Sequence, residues 1–220
     1  MHFLSHYYTE LPNENPLLVA ALSIPDLTRG FTRVYNSNLK KQLPPEQEGL
    51  KKIHEGIVQH YAGDFWFHKS PLFKEHISLA MEQFLKQKLS REKLRLSVIA
   101  HLAVELMIDR QIVLANEELC NRYYMLIEHA DEKLIRQYFA LHSLPIAGED
   151  FLSKFQFWRQ RRILFLFKEL ENIVVGLDRI YGSVTKTAFT EEEKRKFLSA
   201  LHNIDSVMRY SWQEILKVKQ

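Results

Sequence analysis

Apolar residues recur at three- and four-residue intervals along most of the chain. No stretch alternates apolar and polar residues between hairpin turns. The pattern predicts helices. One runs from Pro16 to Thr28, with Pro25 disturbing its last part, and one from Glu46 to about Phe67. Ser70-Pro71 opens a third, to about Lys88, and Ser90 caps a fourth, to about Asn116. Further helices are predicted over roughly Glu117 to Leu141 and, as one long element, from Glu149 to Tyr181. Thr190 to Glu193 is a capping box that opens the last, ending near Lys217. The first dozen residues read as irregular, and a polar loop runs through Pro44-Pro45. The expectation is an all-α, single-domain helical bundle over residues 1–220.

Two helical faces interrupt this pattern with metal-type side chains. From Leu96 to Ile108 almost every residue is apolar, as in a helix buried nearly all round. Its polar positions are Ser97, His101, Glu105 and Asp109, each four residues from the last, so they line one face. A buried carboxylate without a partner is strongly disfavoured, and two of them one turn apart repel. A bound cation removes both problems. The second stripe is His60, Asp64 and His68, with Gly56 one turn earlier leaving room on the same face. It spans about 12 Å, so one ion cannot reach all three members. Each stripe is therefore expected to give one or two ligands and to use the rest for supporting bonds, a second metal or substrate. The competing reading is a solvated face, or acids paired structurally by Arg110 or a lysine.

Composition narrows the class. With 220 residues, 46% of them hydrophobic, the chain can bury a sizeable core, and 7 Gly with 7 Pro are few for a turn-rich fold. The one cysteine, Cys120, has no partner for an internal disulfide and fits a reducing compartment and a small buried role. The opening residues Met1 to His6 lack a basic region and a long apolar run, so no signal peptide is expected. The apolar run Leu17 to Leu22 is too short to span a bilayer. A cytoplasmic protein without a membrane partner is the expectation. A net charge of +3 permits an acidic partner. Scattered basic residues without a helix-turn-helix or RNA-binding signature argue against nucleic acid.

Four motifs, in order and in spacing, carry a family resemblance across about the first 115 residues. Met1-His2-Phe3-Leu4-Ser5-His6 resembles the Met-Asn-Phe-Leu-Ala-His opening of acyl carrier protein phosphodiesterases. Leu22 to Gly30 is similar to that family's Leu-x-x-x-Asp-x-x-Arg-Gly segment. Gly56-Ile57, His60 and Asp64, with Pro71 beyond, resemble its Gly-Ile-x-x-His-x-x-x-Asp…Pro segment. Val104 to Asp109 resembles a Leu-Asp-Val-Met-x-Asp stretch. The C-terminal half is similar only in its helical, aromatic-rich character.

The resemblance implies an all-helical fold related to HD-type metallophosphohydrolases. It implies removal of the 4′-phosphopantetheine arm from holo-acyl carrier protein, the carrier of fatty acid biosynthesis, with a divalent metal, typically manganese. By position, His6, Asp26, His60, Asp64 and Asp109 match, and Arg29 matches a basic residue suited to phosphate. The chain departs from the family at His68, where an Asp is expected, at Glu105, which replaces an Asp, and at Arg110, which replaces a His. His101 has no counterpart.

Taken together, the metal candidates are His6, Asp26, His60, Asp64, His101, Glu105 and Asp109, and the catalytic candidates are Asp26, Arg29, Asp64 and His68. Mixed imidazole and carboxylate ligands also suit Fe or Zn. The departing serine oxygen needs a proton, for which His60, His68 and His101 are candidates. An acidic carrier protein would dock on basic residues near the pocket, with Arg29, Arg33, Lys51, Lys52, Arg159, Arg161 and Arg162 as candidates. Two other classes stay open: a related metallophosphohydrolase acting on another phosphoester, and a non-catalytic helical interaction protein.

Overall fold

The computed structural model describes residues 2–28, 46–90 and 94–217. All regular structure among the described residues is helical, as the apolar periodicity predicts. None of these helices is long and apolar enough to cross a membrane. A single domain is expected from the sequence. Internal packing divides the chain into two compact units, each built from segments far apart in sequence.

The first unit takes His2–Phe65 and Glu118–Ile163. It opens with α1 (Phe3–Thr9), where an irregular segment is expected from the sequence. The Ser5 hydroxyl accepts the His2 N–H at 3.0 Å and donates to the His2 carbonyl at 2.9 Å, closing the first turn. Helix α2 (Pro16–Ala21) is capped by Asn15, whose side chain accepts from the N–H groups of Leu17 and Leu18. Pro25 then splits the predicted Pro16–Thr28 helix, so that α3 (Ile24–Leu27) is a separate turn.

Helix α4 (Glu48–Phe67) packs against α2 where it has no side chain. A Cβ on Gly56 would sit 2.4 Å from the Leu18 carbonyl oxygen and 2.8 Å from the Ala21 Cβ. The helix predicted over Glu117–Leu141 is two, α7 (Glu117–Glu128) and α8 (Glu132–Leu141), because Asp131 caps a fresh start on the N–H groups of Lys133 and Leu134. Helix α9 (Pro145–Arg161) completes the unit. It ends at Arg162 in a left-handed conformation, which interrupts the long helix expected to reach Tyr181.

The second unit takes Trp66–Glu117 and Leu164–Gln220. Its centre is α6 (Leu96–Ala115), buried from Leu102 to Val113 without a break. Helices α5 (Pro71–Lys86), α11 (Leu170–Thr185) and α12 (Glu191–Met208) pack on it. The capping box at the start of α12 forms as predicted: the Thr190 hydroxyl accepts the Glu193 N–H, and the Glu193 carboxylate accepts the Thr190 N–H. Short helices α10 (Ile163–Leu166) and α13 (Trp212–Leu216) flank these. Arg110 does not serve the α6 carboxylates as a salt-bridge partner. It reaches Asp205 at 3.2 Å and the Lys168 carbonyl at 2.5 Å, while Gln111 also donates to Asp205. Cys120, in the first unit, is a fully buried cysteine.

Candidate metal centres

The candidate residues fall into two groups, one inside each unit. In the first unit, α1 supplies His6, α3 supplies Asp26 and α4 supplies His60 and Asp64. His6, Asp26 and His60 each offer a ligand atom, and these atoms lie within 4.8 Å of one another. The two imidazoles stack with centroids 3.9 Å apart and an interplanar angle of 23°. Both direct Nε2 toward Asp64, at 3.3 Å from His6 to Oδ1 and 3.4 Å from His60 to Oδ2. The sequence reaches this arrangement through short local elements. The seven-residue α1 places His6, the Pro25 break turns the chain so that α3 presents Asp26, and the α4 backbone approaches α2 at Gly56.

One bond sets the chemistry of His60. Its Nδ1 lies 2.7 Å from the carbonyl of Leu22, at the C-terminal end of α2, and must donate to it. The proton of a neutral His60 therefore sits on Nδ1, leaving the Nε2 lone pair aimed at the cluster. A backbone carbonyl fixing the tautomer in this way is the usual support of a metal-ligating histidine.

Protonation states follow from burial and neighbours. Burial, then the charge of His60, pushes the His6 pKa down to about 3, so His6 is neutral at ordinary pH. Burial opposes charge on His60 too. The hydrogen bond to Asp64 and the charges of Asp26 and Asp64 outweigh it and raise its pKa. Burial likewise works against the Asp64 carboxylate, and the hydrogen bonds from His6 and His60 more than reverse this, holding Asp64 well below the usual range. The cluster thus sets two buried imidazoles beside two acids, whose negative charge a cation would balance. A donor set of two imidazoles and two carboxylates suits Mn, Fe or Zn.

In the second unit, His68, His101 and Glu105 form the other group within 4.8 Å. Both Nε2 atoms meet the same carboxylate oxygen, Glu105 Oε1, at 3.1 Å from His68 and 3.2 Å from His101. His68 lies in the turn just past the end of α4 and does not continue the helical line of His60 and Asp64. Phe73, in the first turn of α5, packs on both rings, with centroids 5.4 Å from His68 and 5.1 Å from His101. Burial would raise the Glu105 pKa; nearby positive charge, and then the hydrogen bonds from His101 and His68, bring it well below normal instead.

Asp109 is completely buried one turn beyond Glu105 and belongs to neither group of ligand atoms. Arg29 and Arg33 lie outside the described residues. Of the other basic candidates, Lys52 pairs with Glu55 at 2.8 Å, Arg159 with Glu132, and Arg162 with Asn121, while Lys51 is exposed. Sequence reasoning passed over Leu22, whose carbonyl orients His60, and Phe73, which seats His68 and His101. A main-chain acceptor leaves no signature in residue identity. Comparison with protein-family models, with curated proteins and with solved structures finds no match.

Proposed function

We propose that the chain is a metal-dependent phosphodiesterase whose centre is His6, Asp26, His60 and Asp64, acting on the phosphopantetheine arm of holo-acyl carrier protein. One observation carries the metal reading: three helices bring His6, Asp26 and His60 within 4.8 Å, with His60 already locked by Leu22 in the ligating tautomer. The substrate rests on the four-motif resemblance. A bound divalent ion, Mn2+ in the first instance, supplies Lewis acidity toward the phosphoryl oxygens.

The chain's own residues do the rest. His6, held neutral, keeps a lone pair on one ring nitrogen for a cation. Asp26 and Asp64 supply negative charge that compensates a cation. Asp64 is 26% exposed and Asp26 is also half-buried while both histidines are buried, so a carboxylate faces incoming water, and that of Asp64 can orient it by accepting its proton in a hydrogen bond. Docking of the acidic carrier draws on exposed basic residues of the same unit, Lys51 among them.

The test is incubation of the full chain with Mn2+ and holo-acyl carrier protein, followed by mass spectrometry of the carrier. The expected result is loss of the arm, abolished in Asp64→Ala and Asp26→Ala. A carrier of unchanged mass, with metal demonstrably bound to the enzyme, refutes the substrate. Equal turnover by wild type and both variants refutes the site.

A further inference from the structure

We propose that His68, His101 and Glu105 form a second binding site for one first-row divalent transition ion. It lies wholly within the second unit and shares no residue with the centre assigned to phosphodiester cleavage. All three are positions at which the chain departs from the family it resembles, and the fold brings these departures together.

The geometry fits an ion. Bonds of about 2.0–2.1 Å from Zn2+ to imidazole nitrogen and carboxylate oxygen place tetrahedral ligand atoms roughly 3.3 Å apart. The Nε2 atoms of His68 and His101 lie 3.1 and 3.2 Å from Glu105 Oε1, close to that spacing, and all three ligand atoms lie within 4.8 Å of one another. His101 and Glu105 are one turn apart on a rigid buried helix, and the turn after α4 brings in the third ligand. Phe73 packs against both rings, tilted to His68 and edge-on to His101, and limits their freedom to turn away. The carboxylate is 5% exposed, the two imidazoles 36% and 35%. Three protein ligands with partly open imidazoles leave a coordination position toward solvent, as in exchangeable sites and unlike closed four-ligand structural ones.

A plain hydrogen-bonded trio makes a different demand. In that state both imidazoles must donate from Nε2 to the carboxylate; in the metal-bound state the same nitrogens give their lone pairs. Glutamine separates the two cases, because its amide still donates to Glu105 but ligates poorly. The partial exposure of both histidines lets the fold accept the change.

The experiment is Zn2+ calorimetry and Co2+ visible spectroscopy on the full chain and on His68→Gln, His101→Gln and His60→Gln. The expected result is that His68→Gln and His101→Gln each lose one equivalent of Zn2+ and the same Co2+ absorption bands, which His60→Gln keeps. Wild-type protein that binds no Zn2+ overturns the site. So do unchanged stoichiometry and spectra in both variants, or the loss of one common signal in all three. These readouts need no carrier protein, so the site stands or falls separately from the phosphodiesterase reading.

Discussion

The two histidine–carboxylate groups are built with opposite burial. In the first unit the imidazoles are sealed, at 1% and 2% exposure, and the carboxylates are the open members, Asp64 at 26% and Asp26 half-buried. In the second the carboxylate is sealed and the imidazoles are open. The sealed partner dictates the electrostatics. Sealing histidines removes a proton from one of them, and sealing a carboxylate leaves a charge that its two imidazoles help to satisfy. The first group is thereby a poised lone-pair cluster, and the second an anion with two solvent-facing donors.

The largest effect should come from stripping the sealed anion. His68→Ala combined with His101→Ala leaves Glu105 buried without its two imidazoles. Both imidazoles are about a third exposed and Glu105 keeps a further interaction, so in metal-free protein at neutral pH the loss of unfolding free energy should sit at the low end of the about 3–5 kcal/mol of a fully buried pair. Urea denaturation reads it, and adding Glu105→Gln should recover much of the loss. A double variant as stable as wild type would erase the contrast between the groups.

Gly56→Ala comes next. Its Cβ has no room against the Leu18 carbonyl, which is backbone and cannot swing aside. Overpacking of this kind costs about 1–3 kcal/mol. Because the same contact sets α4 against α2, the substitution should weaken metal binding by the first group and leave Zn2+ binding by the second intact. Equal weakening at both would contradict the separation.

The pH dependence of stability gives a smaller, signed effect. The folded pKa of His6, about 3, lies below its unfolded value of 6.5. Between those values the unfolded chain holds a proton that the folded chain does not. His6 therefore makes stability fall as pH drops from about 6.5 toward 3, by up to roughly 1.4 kcal/mol per pH unit. His60 acts in the opposite sense: its pKa is raised, so its contribution is complete below 6.5 and is lost as pH rises through the folded value. In metal-free His6→Gln, the slope of stability against pH between 6 and 4 should be shallower than in wild type. An unchanged slope would show that His6 is not held neutral.

The smallest effect belongs to the surface. Lys51→Glu should slow carrier-protein turnover by a few-fold at low salt, with the difference closing as salt screens exposed charge over about 10 Å at 0.1 M. Hydrolysis of a small phosphodiester should not respond. If both substrates respond alike, Lys51 is no docking residue.

Much of the fold was legible because it is written in local signals. Asn15 and Pro16, Ser70-Pro71 and the Thr190–Glu193 box open the helices they announce, and the apolar run of α6 does bury that helix all round. The interior breaks were not legible. Arg162 takes a left-handed conformation with no glycine or proline to mark it, and α1 is a single short amphipathic stretch closed by one serine.

The candidate residues were legible as stripes, since i, i+4 spacing reads directly from sequence. Their partition was not. His68 sits four residues after Asp64, so periodicity assigns it to that line. The helix ends at Phe67, and the turn carries His68 to His101 and Glu105 instead. Asp109 shows the reverse limit: among the described residues, correct spacing on the helix does not bring its carboxylate into either group of ligand atoms.

The account stands most directly on the first group holding a divalent ion. A crystal of the full chain soaked in Mn2+, with anomalous scattering measured, tests this. The expected result is a peak about 2.0–2.2 Å from Nε2 of His60, from an imidazole nitrogen of His6 and from a carboxylate oxygen of Asp26, with His60 Nδ1 still on the Leu22 carbonyl. An ordered cluster with no peak under saturating Mn2+, and His60 Nε2 bonded only to Asp64, would contradict the metal centre and the phosphodiesterase reading built on it.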